Sequence, residues 1–109
     1  MKEQLQQYLQ EHLEEYKYLV NDLYEHPEIG NQEFRSMAVL CKHLRREGFE
    51  VTEEYVVPTG FLAVWSSGKP GPVIAYMCEY DALPEVGHGC GHNLIAGMSI
   101  GAGCALKSI

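Results

Sequence analysis

The chain has 109 residues, of which 46% are hydrophobic and 21% are charged, as in an ordinary globular protein of one domain at most. Its formal net charge of −7 argues against a nucleic-acid partner, because no basic surface is available to neutralise phosphates. The N-terminus lacks the apolar core of a signal peptide, and no apolar run is long enough to span a bilayer. We therefore expect a cytoplasmic protein with neither a nucleic-acid nor a membrane partner.

The first half of the chain predicts two amphipathic helices. Apolar residues recur at helical spacing from Leu5 to Tyr24, which predicts one helix of roughly 20 residues. It ends at His26, because the residue before Pro27 is pushed out of the helical region. The second helix is predicted with Asn31 as its N-cap, and its sequence ends in a glycine stop signal.

Three strands and a third helix are predicted next. Phe49, Val51, Tyr55 and Val57 are separated by mostly polar residues, which predicts a half-buried strand, and a second strand, Phe61 to Trp65, follows a Pro-Thr-Gly turn. After a second turn, Val73–Cys78 is apolar throughout, which is typical of a strand covered on both faces. The small residues of segment 93–106 predict a helix that packs closely against the sheet. The predicted fold class is α/β, in the order helix-helix-strand-strand-strand-helix.

A cluster of polar, chemically active side chains follows the third predicted strand. Cys90 and His92 are standard zinc ligands, and Gly91 between them lets both side chains point the same way. Asp81 suits a metal ligand, or a carboxylate that orients a ligand histidine; alternatively, it belongs to a simple turn. His88 and Glu79 are candidates for supporting contacts behind the ligands, or are ordinary loop residues. The window supplies too few ligands for a complete zinc site.

The four cysteines predict different environments. Cys41, Cys78 and Cys104 fall within apolar patterns and are expected to be buried, reduced thiols. Cys90 alone has polar neighbours, so a thiol hydrolase with Cys90 as nucleophile is an alternative to the metal hypothesis. A pair only two residues apart is poorly placed for proton transfer from Cys90 to His92. A non-catalytic metal-binding or interaction module is the other alternative.

The chain resembles the zinc-type amidohydrolases, a family of aminoacylases and carboxypeptidase-like enzymes, from about residue 10 to its end. The resemblance is strongest to the branch with p-aminobenzoyl-glutamate hydrolase subunits and β-alanyl-dipeptide-type peptidases. One departure from many relatives, Asn93 in place of Asp, is typical of that branch. The residues that carry the resemblance are His26-Pro27-Glu28-Ile29-Gly30, Glu33, Pro58-Thr59-Gly60-Phe61, Glu79-Tyr80-Asp81-Ala82-Leu83-Pro84 and Gly87-His88-Gly89-Cys90-Gly91-His92-Asn93-Leu94.

The resemblance implies the N-terminal portion of an α/β/α zinc-peptidase catalytic domain, with residues 1–109 in that domain. It implies two divalent ions, zinc or manganese, with Cys90 and His92 as ligands and Asp81 in support. Glu79 stands where other branches carry a metal-binding His or Asp. The general-base Glu, the remaining ligands and a dimerisation domain are expected outside these residues. The implied enzyme is a homodimer or homo-oligomer that cleaves the amide bond of an N-acyl amino acid or dipeptide, and the 109 residues alone are expected to be inactive.

Overall fold

The computed structural model describes all 109 residues as four helices and one two-stranded antiparallel sheet. This mixed α/β arrangement agrees with the predicted fold class. No helix combines the length and the apolar character that a membrane crossing needs. The elements are α1 (Lys2–Glu11), α2 (Leu13–Glu25), α3 (Phe34–Arg46), β1 (Glu50–Glu53), β2 (Phe61–Val64) and α4 (His92–Ser108).

The first predicted helix is interrupted at His12, so the prediction of one continuous helix was wrong. His12 has φ −109° and ψ 10° and separates α1 from α2. Its Nδ1 lies 2.8 Å from the carbonyl oxygen of Tyr8, and its ring stacks on the Tyr8 ring with centroids 4.0 Å apart. A polar side chain bonded to the helix backbone is a recognised cause of a kink. The predicted end of the helix at His26 is confirmed.

Helix α3 begins at Phe34, and its first amides are satisfied by a distant carboxylate. Glu28 accepts hydrogen bonds from the backbone N–H of Arg35 at 3.0 Å and of Ser36 at 2.6 Å. The prediction that Asn31 is the N-cap was wrong: the N-cap position is Glu33, and Asn31 lies in a turn with φ 67°. Glu28 takes over the capping role because the preceding turn folds it back over the helix end.

The C-terminal end of α3 follows the predicted glycine stop. Gly48 has φ 91°, a conformation that glycine adopts without strain. The N–H of Phe49 donates to the carbonyl of Leu44, and the N–H of Gly48 donates to that of Arg45. These paired bonds form a Schellman motif, which satisfies two carbonyls at the helix end.

Strands β1 and β2 form the whole sheet, and the prediction of a third strand was wrong. Glu50 lies opposite Val64 and Glu53 opposite Phe61. Val73–Cys78 belongs to no helix or strand and makes no backbone–backbone hydrogen bond, and Val73 and Met77 are 98% and 81% exposed. A strand needs a neighbouring strand to pair with, and no strand of the 109 residues pairs with this run.

The core lies between the helices and one face of the sheet. Helix α4 packs on α1 and α2, so its small residues serve helix–helix packing instead of the predicted helix–sheet packing. At Gly97 the approach is so close that a Cβ atom would lie 2.5 Å from Cγ2 of Val20. The buried hydrophobic cluster consists of Tyr16, Leu19, Leu23, Met37, Leu40, Cys41, Leu44, Tyr80, Ala96, Ile100 and Cys104.

Candidate metal site

The predicted ligands lie in the loop of residues 79–91 and at the first residue of α4. The loop is fixed to the segment before α3, because the N–H of Ala82 donates to the carbonyl of Glu28 at 2.7 Å. Leu83 and Gly87 exchange two backbone hydrogen bonds, of 2.8 and 3.1 Å, which closes the loop on itself. The hydroxyl of buried Tyr80 donates to the carbonyl of Thr59. The loop is therefore held in place by backbone pairing although no strand precedes it.

His92 lies between two carboxylates. Its Nδ1 is 2.7 Å from Oδ1 of Asp81, and its Nε2 is 3.0 Å from Oε2 of Glu79. The hydrogen bond to Asp81 raises the pKa of His92, with smaller contributions from the charges of Asp81 and Glu79. Because Asp81 accepts the Nδ1 proton, Nε2 is the nitrogen available to a metal ion.

Cys90 and His88 lie on a neighbouring cleft. The cleft has a volume of about 490 Å³ and is also lined by Tyr24 and Asn93. Cys90 is exposed, whereas His88 is 9% exposed and neither of its ring nitrogens has a hydrogen-bond partner. Burial lowers the pKa of His88. The structure therefore separates the predicted cluster into a carboxylate–histidine group and a thiol-lined cleft.

The donor chemistry of this loop fits part of a metal site. His92 offers an oriented imidazole nitrogen, and Cys90 an accessible thiol two residues away. Three ligand atoms from different residues of the loop do not lie within 4.8 Å of one another, so the loop alone does not form a closed site.

The other predicted thiol environments agree with the structure in part. Cys41 and Cys104 are buried, Cys78 is half-buried, and all four cysteines are free. Burial raises the pKa of Cys41 to about 11 and that of Cys78 to about 12, so both thiols stay protonated at neutral pH. Neither has the character of a nucleophile.

A second group of possible ligands escaped the sequence analysis. Ligand atoms of Glu15, His43 and Glu47 all lie within 4.8 Å of one another. The sequence predicted no role for His43. Its contact with Glu15 arises only from the packing of α2 against α3. The sequence held one signal for this group: His43 and Glu47 are four residues apart, a spacing at which two side chains at a helix end can approach each other.

Similar proteins place the chain in a family. It is 38% identical over 96 residues to the human Xaa-Arg dipeptidase, and the match covers 77% of this chain and 22% of that protein. It is 36% identical over 110 aligned positions to a subunit of the p-aminobenzoyl-glutamate hydrolase of Escherichia coli strain K12, covering 84% of this chain and 22% of that protein. The chain belongs to the amidohydrolase and peptidase family of these proteins.

Membership of this amidohydrolase and peptidase family confirms the predicted resemblance and identifies a family of hydrolytic enzymes. A third relative, N-acetyldiaminopimelate deacetylase of Listeria innocua, is 30% identical over 103 residues, covering 82% of this chain and 28% of that protein. No family model matches the chain. The chain thus spans between about a fifth and just over a quarter of the length of these relatives.

Proposed function

We propose that this chain supplies part of the active site of a metal-dependent amidohydrolase, as the N-terminal portion of its catalytic domain. The observation that carries the proposal is the contact between His92 and Asp81, because a carboxylate on one imidazole nitrogen is the usual partner of a metal-bound histidine. The activities for which the relatives are named, on dipeptides, p-aminobenzoyl-glutamate and N-acetylated amino acids, support the reaction type.

The proposed substrate is a small N-acyl amino acid, a p-aminobenzoyl-glutamate-like compound or a dipeptide. His92 through Nε2 and Cys90 through Sγ hold zinc or manganese, Asp81 keeps the Nδ1 proton of His92, and His88 borders the cleft next to Cys90. A divalent metal in such a site polarises an amide carbonyl and lowers the pKa of a bound water to about 7.

The proposal extends beyond these residues. The proposed whole enzyme binds a second metal ion. Its general-base Glu, its remaining metal ligands and a dimerisation domain are proposed to lie in regions that correspond to the parts of the relatives not matched by this chain. The whole enzyme is proposed to be a cytoplasmic homodimer or homo-oligomer. The 109 residues alone are proposed to lack hydrolytic activity, because the general-base Glu that the resemblance implies is expected outside them.

The geometry disfavours a thiol hydrolase. Both ring nitrogens of His92 face carboxylates, and those of His88 have no hydrogen-bond partner. Neither imidazole is hydrogen-bonded to the thiol of Cys90, and a nucleophilic mechanism requires such a bond to a general base. Activity that survives a chelator and is lost on alkylation of Cys90 would contradict this assignment.

The first test is a cobalt titration of the purified chain. Thiolate ligation by Cys90 is expected to give a sulfur-to-cobalt charge-transfer band, which Cys90→Ser abolishes. His92→Ala is expected to lower the cobalt affinity, measured from this band, by at least about tenfold. Removing a supporting contact of a ligand already lowers metal affinity by about that much, and His92 is itself a proposed ligand.

Cys78→Ser provides the matched control, because this half-buried thiol precedes the same loop and lies outside the proposed site. The band is expected to persist in that variant. A band of equal strength in wild type and Cys90→Ser would overturn the ligand assignment. A competing zinc titration, followed by loss of the cobalt band, extends the result to zinc.

A further inference from the structure

We propose that Glu15, His43 and Glu47 form a second binding site for a divalent cation, which joins α2 to the C-terminal end of α3. This site is independent of the proposed active site. His92 and Cys104, the two residues of α4 nearest the respective sites, are 12 positions apart, about 18 Å along the helix.

The arrangement of the three residues matches a common way of building metal sites between helices. His43 lies in the last turn of α3, and Glu47, four residues later, is the C-cap residue of that helix. Glu15 comes from α2, and its Oε1 is 3.3 Å from Nδ1 of His43. Ligand atoms of all three lie within 4.8 Å of one another, so small side-chain rotations bring them around one ion.

The imidazole of His43 is already fixed in the orientation that a metal needs. His43 is only 4% exposed, and its ring packs edge-on against Tyr16 with centroids 5.5 Å apart. Its Nε2 lies 4.0 Å from Sγ of Cys104, the nearest hydrogen-bonding partner of that nitrogen. When Nε2–H donates to this sulfur, Nδ1 carries the lone pair, and it is Nδ1 that lies 3.3 Å from Oε1 of Glu15.

The two carboxylates give the site access to solvent. Glu15 and Glu47 are half-buried, so water can complete the coordination of an ion held by one nitrogen and two carboxylate oxygens. An imidazole with two carboxylates favours zinc or cobalt over calcium or magnesium, which prefer oxygen ligands only. The predicted ligand is therefore a divalent transition-metal ion of the zinc type.

The guanidinium of Arg46 lies within this group of ligands. Its Nη2 is 2.9 Å from Oε1 of Glu15 and 3.5 Å from Nδ1 of His43. The Arg46 side chain is 65% exposed, and exposed ion pairs of this kind contribute little to stability, so it can swing into solvent. The guanidinium is a competitor that the ion must displace.

The test uses the full chain with Cys90→Ser and His92→Ala as background, so that the loop site is removed. Cobalt binding is followed by calorimetry and by the visible absorption of the bound ion. We expect one site of micromolar affinity, weakened at least about tenfold by Glu47→Gln and by Glu15→Gln, since each removes a ligand. Glu14→Gln, an exposed carboxylate next to Glu15, is the matched control and is expected to leave binding unchanged.

A second pair of variants separates a specific site from general attraction of cations. Arg46→Gln is expected to tighten binding several-fold, whereas Arg45→Gln, which removes the same charge from a residue paired with Glu53, is expected to change it by less than about twofold. Circular dichroism establishes that each variant is folded.

Millimolar or weaker binding in the background variant would overturn the proposal. Equal weakening by Glu47→Gln and Glu14→Gln would also overturn it. If the wild-type chain lacks the Cys90 charge-transfer band while the background variant still binds cobalt here, the proposed function is contradicted and this site stands.

Discussion

At the scale of single residues, the central feature is the different role of the two nitrogens of His92. Asp81 holds Nδ1 at 2.7 Å and Glu79 faces Nε2 at 3.0 Å. If a metal binds Nε2, Asp81 keeps the ring in the correct tautomer and orientation, while Glu79 has to move or become a ligand itself.

This division of roles predicts the effect of Asp81→Asn. The amide accepts the Nδ1 proton more weakly than the carboxylate does, so zinc affinity is expected to fall by about 10- to 100-fold. The measurement is competitive zinc titration of the purified chain, with Glu47→Gln included to suppress the second proposed site. Glu85→Gln, an exposed carboxylate of the same loop, is the control. Equal affinities for Asp81→Asn and wild type would show that Asp81 does not support His92.

The sequence was informative about these residues only where the chemistry is local. Asp81 and His92 are close along the chain and carry groups with few other uses, so their contact was foreseeable. Glu28 was not foreseeable, because its role as the cap of α3 depends on a turn that folds it back over the helix end. The proximity of Glu15 to His43 depends in the same way on how two helices pack.

At the scale of elements, close approach of α4 to α2 determines which small residues matter. A Cβ at Gly97 would lie 2.5 Å from Cγ2 of Val20, whose branched side chain on α2 has little freedom to turn away. At Gly103 the nearest atom, from Tyr76, would be 3.9 Å away, which is an ordinary contact.

Gly97→Ala and Gly103→Ala are therefore expected to have opposite effects. Overpacking at Gly97 is expected to lower the free energy of unfolding by about 1–3 kcal/mol. At Gly103 the better helix propensity of alanine is expected to raise it by up to about 1 kcal/mol. Urea denaturation followed by circular dichroism measures both. Destabilisation of similar size in the two variants would argue against close contact between α2 and α4.

The errors in predicting elements share a physical cause. Periodicity located the helices well, and the Gly48 stop and the His26-Pro27 end were foreseeable from local rules. The break at His12 depends on a side-chain hydrogen bond to Tyr8, which periodicity does not report. The apolar pattern of Val73–Cys78 predicts a buried strand, but strand formation depends on a partner strand elsewhere.

At the scale of the whole molecule, α2 and α3 are joined by an ion pair that makes stability depend on pH. Both terminal nitrogens of Arg35 donate to the carboxylate of Asp22 at 3.0 Å. This hydrogen-bonded pair lowers the pKa of Asp22 below its ordinary value of 3.8, so the folded chain resists protonation there more than the unfolded chain does.

The contribution of Asp22 is therefore fully present above pH 3.8 and is lost as the pH falls through the lower pKa of the folded state. Between pH 7 and about pH 3 the wild-type chain is expected to lose more free energy of unfolding than Asp22→Asn does. The difference is expected to be less than about 1 kcal/mol, because the Arg35 partner is partly exposed. Urea denaturation at the two pH values measures this. Glu14→Gln, whose carboxylate has only an exposed partner, serves as the control. An unchanged pH dependence in Asp22→Asn would contradict the assignment.

The segment Val73–Cys78, which pairs with no strand, also has a consequence for concentrated solutions. The run has six uncharged residues without proline or glycine, and its peptide groups have no backbone partner. Such segments readily stack with copies of themselves into cross-β aggregates. We therefore expect this segment, whose composition is most suited to a sheet interior, to limit the solubility of the 109 residues.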